Sequence, residues 1–180
     1  MARNLTVLNK GFTLIELLVV IGIMVLLSLL VTINWRGSQN NLALQRSAVK
    51  VSQDIKRTAE LSLRGQPFSC ATGSITGYGI YFMSASSSYI IFADCNNNQR
   101  YDAGPAGDGI AETLALEAGV VILAVSQNPL SIVFIPPDPA VWINQSQSPS
   151  ASFTITLALQ NNPSVTKSIT INSKAVVSIQ

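Results

Sequence analysis

A chain of 180 residues, 48% hydrophobic and only 11% charged, is long enough for one cored domain plus an extended terminal element. Its 11 basic and 9 acidic residues leave a formal charge of +2, which excludes the strongly basic balance of a dedicated nucleic-acid-binding domain. With no histidine, it lacks both the commonest general base and the commonest zinc ligand.

The first eleven residues hold Arg3 and Lys10 and no acid. No charge follows between Leu17 and Ile33, and the run extended back to Phe12 is long enough to cross a bilayer at about 1.5 Å per residue. A secretory signal peptide would have a shorter apolar region and a small-residue cleavage site, and "TINWRGSQNN" offers a poor one. A plain anchor, with Arg3 and Lys10 holding the N-terminus in the cytoplasm, fits the hydropathy. It leaves Glu16 unexplained, because a carboxylate in a membrane helix costs about 2.5–3.5 kcal/mol on insertion scales.

The stretch "KGFTLIELLVVIGIMVLL" resembles the class III signal of type IV prepilins and type II secretion pseudopilins. The shared features are a short basic leader ending in Gly11, then Phe12, then an acid, Glu16, at the fifth position after it. The resemblance implies that residues 1–11 are a leader. A prepilin peptidase would cut between Gly11 and Phe12 at the cytoplasmic face and N-methylate Phe12. It further implies a single-pass protein of a bacterial inner membrane with a periplasmic C-terminal domain, later extracted into a filament. Its partners would be other pilin subunits, the peptidase and an inner-membrane assembly platform. Glu16 would meet the Phe12 ammonium of a neighbouring subunit.

No proline occurs before Pro67, so the helix is expected to run from Phe12 to about Arg64, near 80 Å at ideal rise. Residues 12–35 form its membrane-spanning or filament-core part, with Trp35 at the interface and Gly37 as the expected bend. Residues 36–65 read as an amphipathic continuation. Leu44, Ala48, Val51, Ile55, Ala59 and Ser62 fall on one face, and Arg46, Lys50, Arg57 and Arg64 on the opposite one. That basic stripe reads either as a solvated face with Glu60 and Arg64 paired, or as a contact for acidic partner subunits or anionic headgroups.

Residues 66–180 form a β-rich globular domain. "GYGIYF" and "YIIFAD" flank "MSASSS" as a hairpin, and "ETLAL", "VVILAV" and "LSIVFI" follow as strands. "PPDPAVWINQSQSPS" reads as a Pro/Ser-rich loop, in which Trp142 either anchors into the core or stacks on a ligand. "ASFTITLAL" alternates as a half-buried strand, "QNNPS" turns into "VTKSITI", and "NSK" turns into "AVVSI". The sum is an α+β fold, a long helix packed against a mainly antiparallel β domain.

Cys70 and Cys95, an even pair in a small exported domain, favour a disulfide, with two buried free thiols as the alternative. The densest polar cluster is "DCNNNQRYDAGPAGDG". Asp94, Asn96 and Asn98 have the alternate spacing of calcium ligands, with Asp102 and Asp108 further on. An EF-hand also needs Gly at its sixth position and Glu at its twelfth; Gln99 and Pro105 stand there, leaving a looser calcium site or a set of turns. No other cofactor is expected, nor an enzyme or a small-molecule substrate. The chain has no nucleophile elbow, no phosphate loop and no Cys-x-x-Cys.

More loosely, "RTAELSLRG", "FADCNNNQRYD" and "KSITINSKAVVSIQ" are similar to the GspH/FimT group of minor pilins and H-type pseudopilins. That similarity implies a subunit at or near a filament tip that helps prime assembly. The alternative is a binding module for DNA or a surface, displayed on a pilus. For DNA the chain offers only Lys167 and Lys174 near its C-terminus, and Asn172-Ser173-Lys174 stands where the group often has a Gly-Arg type turn.

Overall fold

A long helix, α1, runs from Leu14 to Leu63 and is unbroken through Gly37. The structure, a computed structural model, describes residues 11–71, 73–104, 107–137, 140–147, 152–172 and 174–180, without side-chain detail at 30–36 and 140. Most of the expected leader, residues 1–10, and the side chain of Trp35 therefore lie outside the described residues. The chain divides into two compact units, Met1–Gln39 and Asn40–Gln180, with α1 contributing to both.

The helix ends where its sequence says it should. Gly65 adopts φ +59°, a left-handed conformation that costs glycine little. The Gln66 N–H reaches the Leu61 carbonyl at 3.1 Å and the Gly65 N–H the Ser62 carbonyl at 3.0 Å, the double bond of a Schellman cap. Beyond it, Cys70 and Cys95 are joined in a disulfide, Cα to Cα 5.7 Å, which ties the chain after α1 to the end of the second strand. Closing that 25-residue separation stabilises the fold by about 3–4 kcal/mol in the chain-entropy model.

Among the described residues nine strands follow: β1 Gly77–Phe82, β2 Ser88–Asp94, β3 Gly109–Ala115, β4 Val120–Val125, β5 Leu130–Ile135, β6 Ala140–Ile143, β7 Ser152–Leu159, β8 Asn162–Asn172 and β9 Val177–Ile179. They form one sheet in the order β3-β2-β1-β5-β6 and another in the order β4-β7-β8-β9, every pairing antiparallel. Leu44, Ala48, Val51 and Ile55 of α1 are buried in one core cluster with Ile80 and Phe82 of β1, Ile155 and Leu157 of β7 and Ile169 of β8. The α+β architecture expected from the sequence is therefore present, with the predicted helix face turned into the core.

Four elements differ from expectation, each for a local reason. β3 starts at Gly109, ahead of "ETLAL", because Ala93 and Phe92 of β2 already pair with Gly109 and Ile110. The Pro/Ser-rich stretch holds a strand: β6 carries the half-buried Trp142 opposite Val133, and an edge strand tolerates flanking prolines. β8 takes in Pro163, because its ladder slips between Ala158 and Leu159 and proline's missing N–H is not needed at a register shift. β9 starts late because the Asn172 side chain accepts the N–H groups of Lys174 and Val176, at 3.0 and 2.9 Å, and holds the turn open through Val176.

Outside the main core, the chain after β2 turns back onto the five-stranded sheet at Tyr101. Tyr101 packs on Tyr81 and Phe92, ring centroids 4.8 and 5.2 Å apart. Gly79 makes room, since a Cβ there would lie 2.4 Å from the Phe92 ring.

Candidate functional site

Gly11 and Phe12 precede the helix; nothing lies within 4 Å of where a Gly11 Cβ would be, and Phe12 is 83% exposed. Both residues are exposed. Thr13 then caps the helix: its Oγ1 accepts the Glu16 N–H at 3.3 Å and its carbonyl accepts the same N–H at 3.1 Å. Thr-x-x-Glu is the capping-box spacing, a signal legible in "TLIE" but overlooked in the sequence reading. Glu16 thus stands in the first turn, where the helix dipole favours an acid. It is exposed and forms no ion pair with the described residues.

Around Glu16 the helix is apolar on every side. Fourteen large apolar side chains from Phe12 to Leu29 are 44–83% exposed. At roughly 1 kcal/mol for covering each half-exposed chain, on the order of 10–15 kcal/mol favours moving this surface out of water. Among the described residues no helix is long and apolar enough to cross a membrane. Described side chains of the apolar run stop at Leu29, while the sequence stays uncharged to Ile33.

Further along α1 the polar residues clamp the helix to the sheets. Tyr89 donates its hydroxyl to Asp54 Oδ2 at 2.6 Å, both groups being buried. Burial, followed by that hydrogen bond and the Asp54 charge, pushes the Tyr89 hydroxyl well above the usual tyrosine range. Ser62 donates to the Phe134 carbonyl and accepts the Tyr78 N–H, and Ser47 accepts the Glu117 N–H. Two cations of the basic face also reach β3 of the same chain. Arg57 grips Glu112 of β3 with two nitrogens, and Lys50 donates to the Ala115 carbonyl at 2.9 Å. The expected Glu60–Arg64 pair is present at 3.5 Å. The Arg57 pair could not be read from the helix alone, since its acid lies 55 residues away.

The polar loop gathers its predicted residues by side-chain turns. Asn96 Oδ1 accepts the Asn98 N–H at 3.2 Å and Asn98 Oδ1 the Arg100 N–H at 3.0 Å. Asp94 Oδ2 accepts the Gln99 N–H at 3.1 Å, and the Asn98 amide donates to Asp102. Asp108 closes the loop, taking the Cys95 N–H at 3.1 Å and the Asp102 N–H at 2.9 Å. Burial pushes its carboxyl above the usual range; the two backbone bonds pull it back, and the charges of Asp94 and Asp102 push with burial. Among the described residues no three His, Cys, Asp or Glu side chains converge as a metal cluster.

Comparison with known proteins bears on the N-terminal segment first. Residues 8–32 match the family model described as the prokaryotic N-terminal methylation motif. The chain is also similar to the pilin-like protein PilA1 of Thermus thermophilus, 34% identical over 97 residues. That match covers 53% of this chain and 55% of PilA1, so the chain spans about half the length of this curated relative. No solved structure matches. The N-terminal segment thus carries a prokaryotic N-terminal methylation motif, and it continues into an α+β fold.

Proposed function

We propose that the chain is a minor pilin or pseudopilin of the GspH/FimT kind, a structural subunit that enters a filament through the first half of α1. It is made as a prepilin, held in a bacterial inner membrane by residues 12–35, and cut between Gly11 and Phe12 by a prepilin peptidase that methylates the new Phe12 amine. An inner-membrane platform then lifts it into a type IV pilus or type II secretion pseudopilus, near whose tip it primes assembly. The observation that carries this reading is the apolar sheath from Phe12 to Leu29, exposed on every side, with one carboxylate, Glu16, set into it.

The chemistry of assembly follows from that arrangement. Bundling the sheath with neighbouring helices removes its apolar surface from water or lipid. In the resulting low-dielectric core an unpaired Glu16 is penalised, whereas a cation opposite it is strongly attracted. Cleavage supplies that cation, the Phe12 ammonium of an adjoining subunit, so the pair selects axial register. The basic stripe around Arg46 and Arg64 then faces acidic surfaces of neighbours or anionic headgroups.

Mass spectrometry of the membrane-resident form is the first test. Phe12 carrying one added methyl group is expected as the first residue, and an intact Met1 overturns the reading. Glu16→Ala is expected to insert and be cut normally yet to enter filaments poorly. Filament yield equal to wild type overturns the pairing.

A further inference from the structure

The turn that follows β6 is held by one side chain. Asn144 and Gln145 both take left-handed φ, 43° and 71°, which side-chain-bearing residues adopt at a cost, and Ile143 and Ser146 exchange main-chain bonds of 2.9 Å across them. Asn144 Oδ1 accepts the Ser131 N–H at 2.7 Å, and its Nδ2 donates to Gln127 Oε1 at 2.9 Å and to the Pro129 carbonyl at 2.8 Å. Asn128 Oδ1 accepts the Ser84 N–H at 3.1 Å. Two main-chain N–H groups thus fix which end of each of these three amides is oxygen. Arg100, Gln127, Asn128, Pro129 and Asn144 line a cavity of about 150 Å³.

The side-chain atoms left over in that lining are donors. Asn144 Oδ1, Gln127 Oε1 and Asn128 Oδ1 each already accept a bond, whereas Gln127 Nε2 and Asn128 Nδ2 have no partner among the described residues. Arg100 adds a cation, exposed and in a loose ion pair of 3.5 Å with Asp102. A cavity that offers N–H groups and a positive charge, and no free side-chain acceptor, selects a carboxylate. Aromatic rings flank it on the same face of the five-stranded sheet. Val141 and Ile143 are buried in the core, so Trp142 and Asn144 lie on the opposite side of β6. Ser131, bonded to Asn144, stands opposite Tyr81 in register, and its Oγ accepts the Tyr101 N–H at 3.2 Å. Tyr81, Tyr101 and Trp142 are each half-buried.

We propose that this face binds an acidic polysaccharide through one uronic acid unit. The carboxylate of that unit enters the cavity against Arg100, Gln127 and Asn128, and the apolar face of a sugar ring lies on the flanking tyrosines. The charge-assisted bonds set orientation and the aromatic rings supply contact area. A bare carboxylate would use only the first feature and a neutral sugar only the second, so the two side by side select a ligand that carries both. All of these residues belong to the unit Asn40–Gln180, and the inference is independent of how or whether the subunit assembles.

The test follows the side-chain amide resonances of Gln127 and Asn128 in the isotope-labelled full chain in detergent. The chain is titrated with digalacturonate, with the neutral disaccharide galactobiose, with sodium acetate and with a short oligothymidylate. Digalacturonate is expected to shift both amides with a Kd of about 1 mM, and galactobiose and acetate to bind roughly tenfold more weakly or worse. Arg100→Gln, which removes an exposed charge and leaves the amides in place, is expected to weaken digalacturonate roughly tenfold or more while the rest of the spectrum stays as in wild type. Unmoved amides at about 20 mM digalacturonate, equal binding of acetate or galactobiose, wild-type affinity in Arg100→Gln, or tighter binding of oligothymidylate would each overturn the assignment.

Discussion

The two halves of α1 make the instructive pair. Both are helical without a break, and both carry a large share of apolar residues. In the first, Leu18, Met24 and Leu26 are 66%, 63% and 63% exposed; in the second, Ala48, Val51 and Ile55 are 0%, 0% and 1% exposed. Backbone hydrogen bonding is satisfied in both, so it does not distinguish them. What differs is the supplier of cover. The second half is apolar on one face and finds the sheets of its own chain, whereas the first is apolar all round, so one covering sheet would leave most of it bare.

The sharpest way to break this contrast is a matched pair of truncations. Ile55→Ala removes buried volume from the core and is expected to cost about 2–5 kcal/mol of unfolding free energy. Leu26→Ala, on the exposed half, is expected to change the same quantity by less than about 0.5 kcal/mol. Equal losses in denaturant titrations of the two variants would end the comparison.

A smaller effect sharpens it at the helix–sheet seam. Tyr89→Phe leaves Asp54 without its buried donor and is expected to cost about 1–3 kcal/mol at neutral pH. The folded state holds the Tyr89 proton above the ordinary value of 10.0, so this contribution is full below about pH 10 and is lost as pH rises beyond it. The gap between wild type and Tyr89→Phe should therefore narrow in alkaline denaturant titrations, and a gap that widens would refute the assigned bond. Smallest of all is Glu112→Gln. The Arg57–Glu112 side chains are 47% and 37% exposed, so screening leaves about 0–1 kcal/mol, falling further as salt is added.

Much of this was legible before any coordinates. The helix face, its stop near Gly65, the hairpin of β1 and β2 and the pairing of Cys70 with Cys95 all follow local or compositional rules. The errors cluster where a distant partner decides. β6 hides among prolines because only β5 beside it makes "AVWI" a strand. Arg57 meets Glu112 only because β3 brings that acid across. Thr13 is different, since its cap could have been read from "TLIE" alone.

The sequence alone settled the periodicities and the N-terminal motif: where apolar residues fall along α1, where glycine stops it, and a Gly11–Phe12 step followed by a lone acid, Glu16. Those depend on neighbours within a few positions, so order along the chain is enough. Only the tertiary structure decided which strands pair, which cation meets which acid, and that an Asp94 oxygen ends buried without a partner. Those outcomes depend on residues tens of positions apart being brought within a few ångströms, a distance that no local pattern encodes.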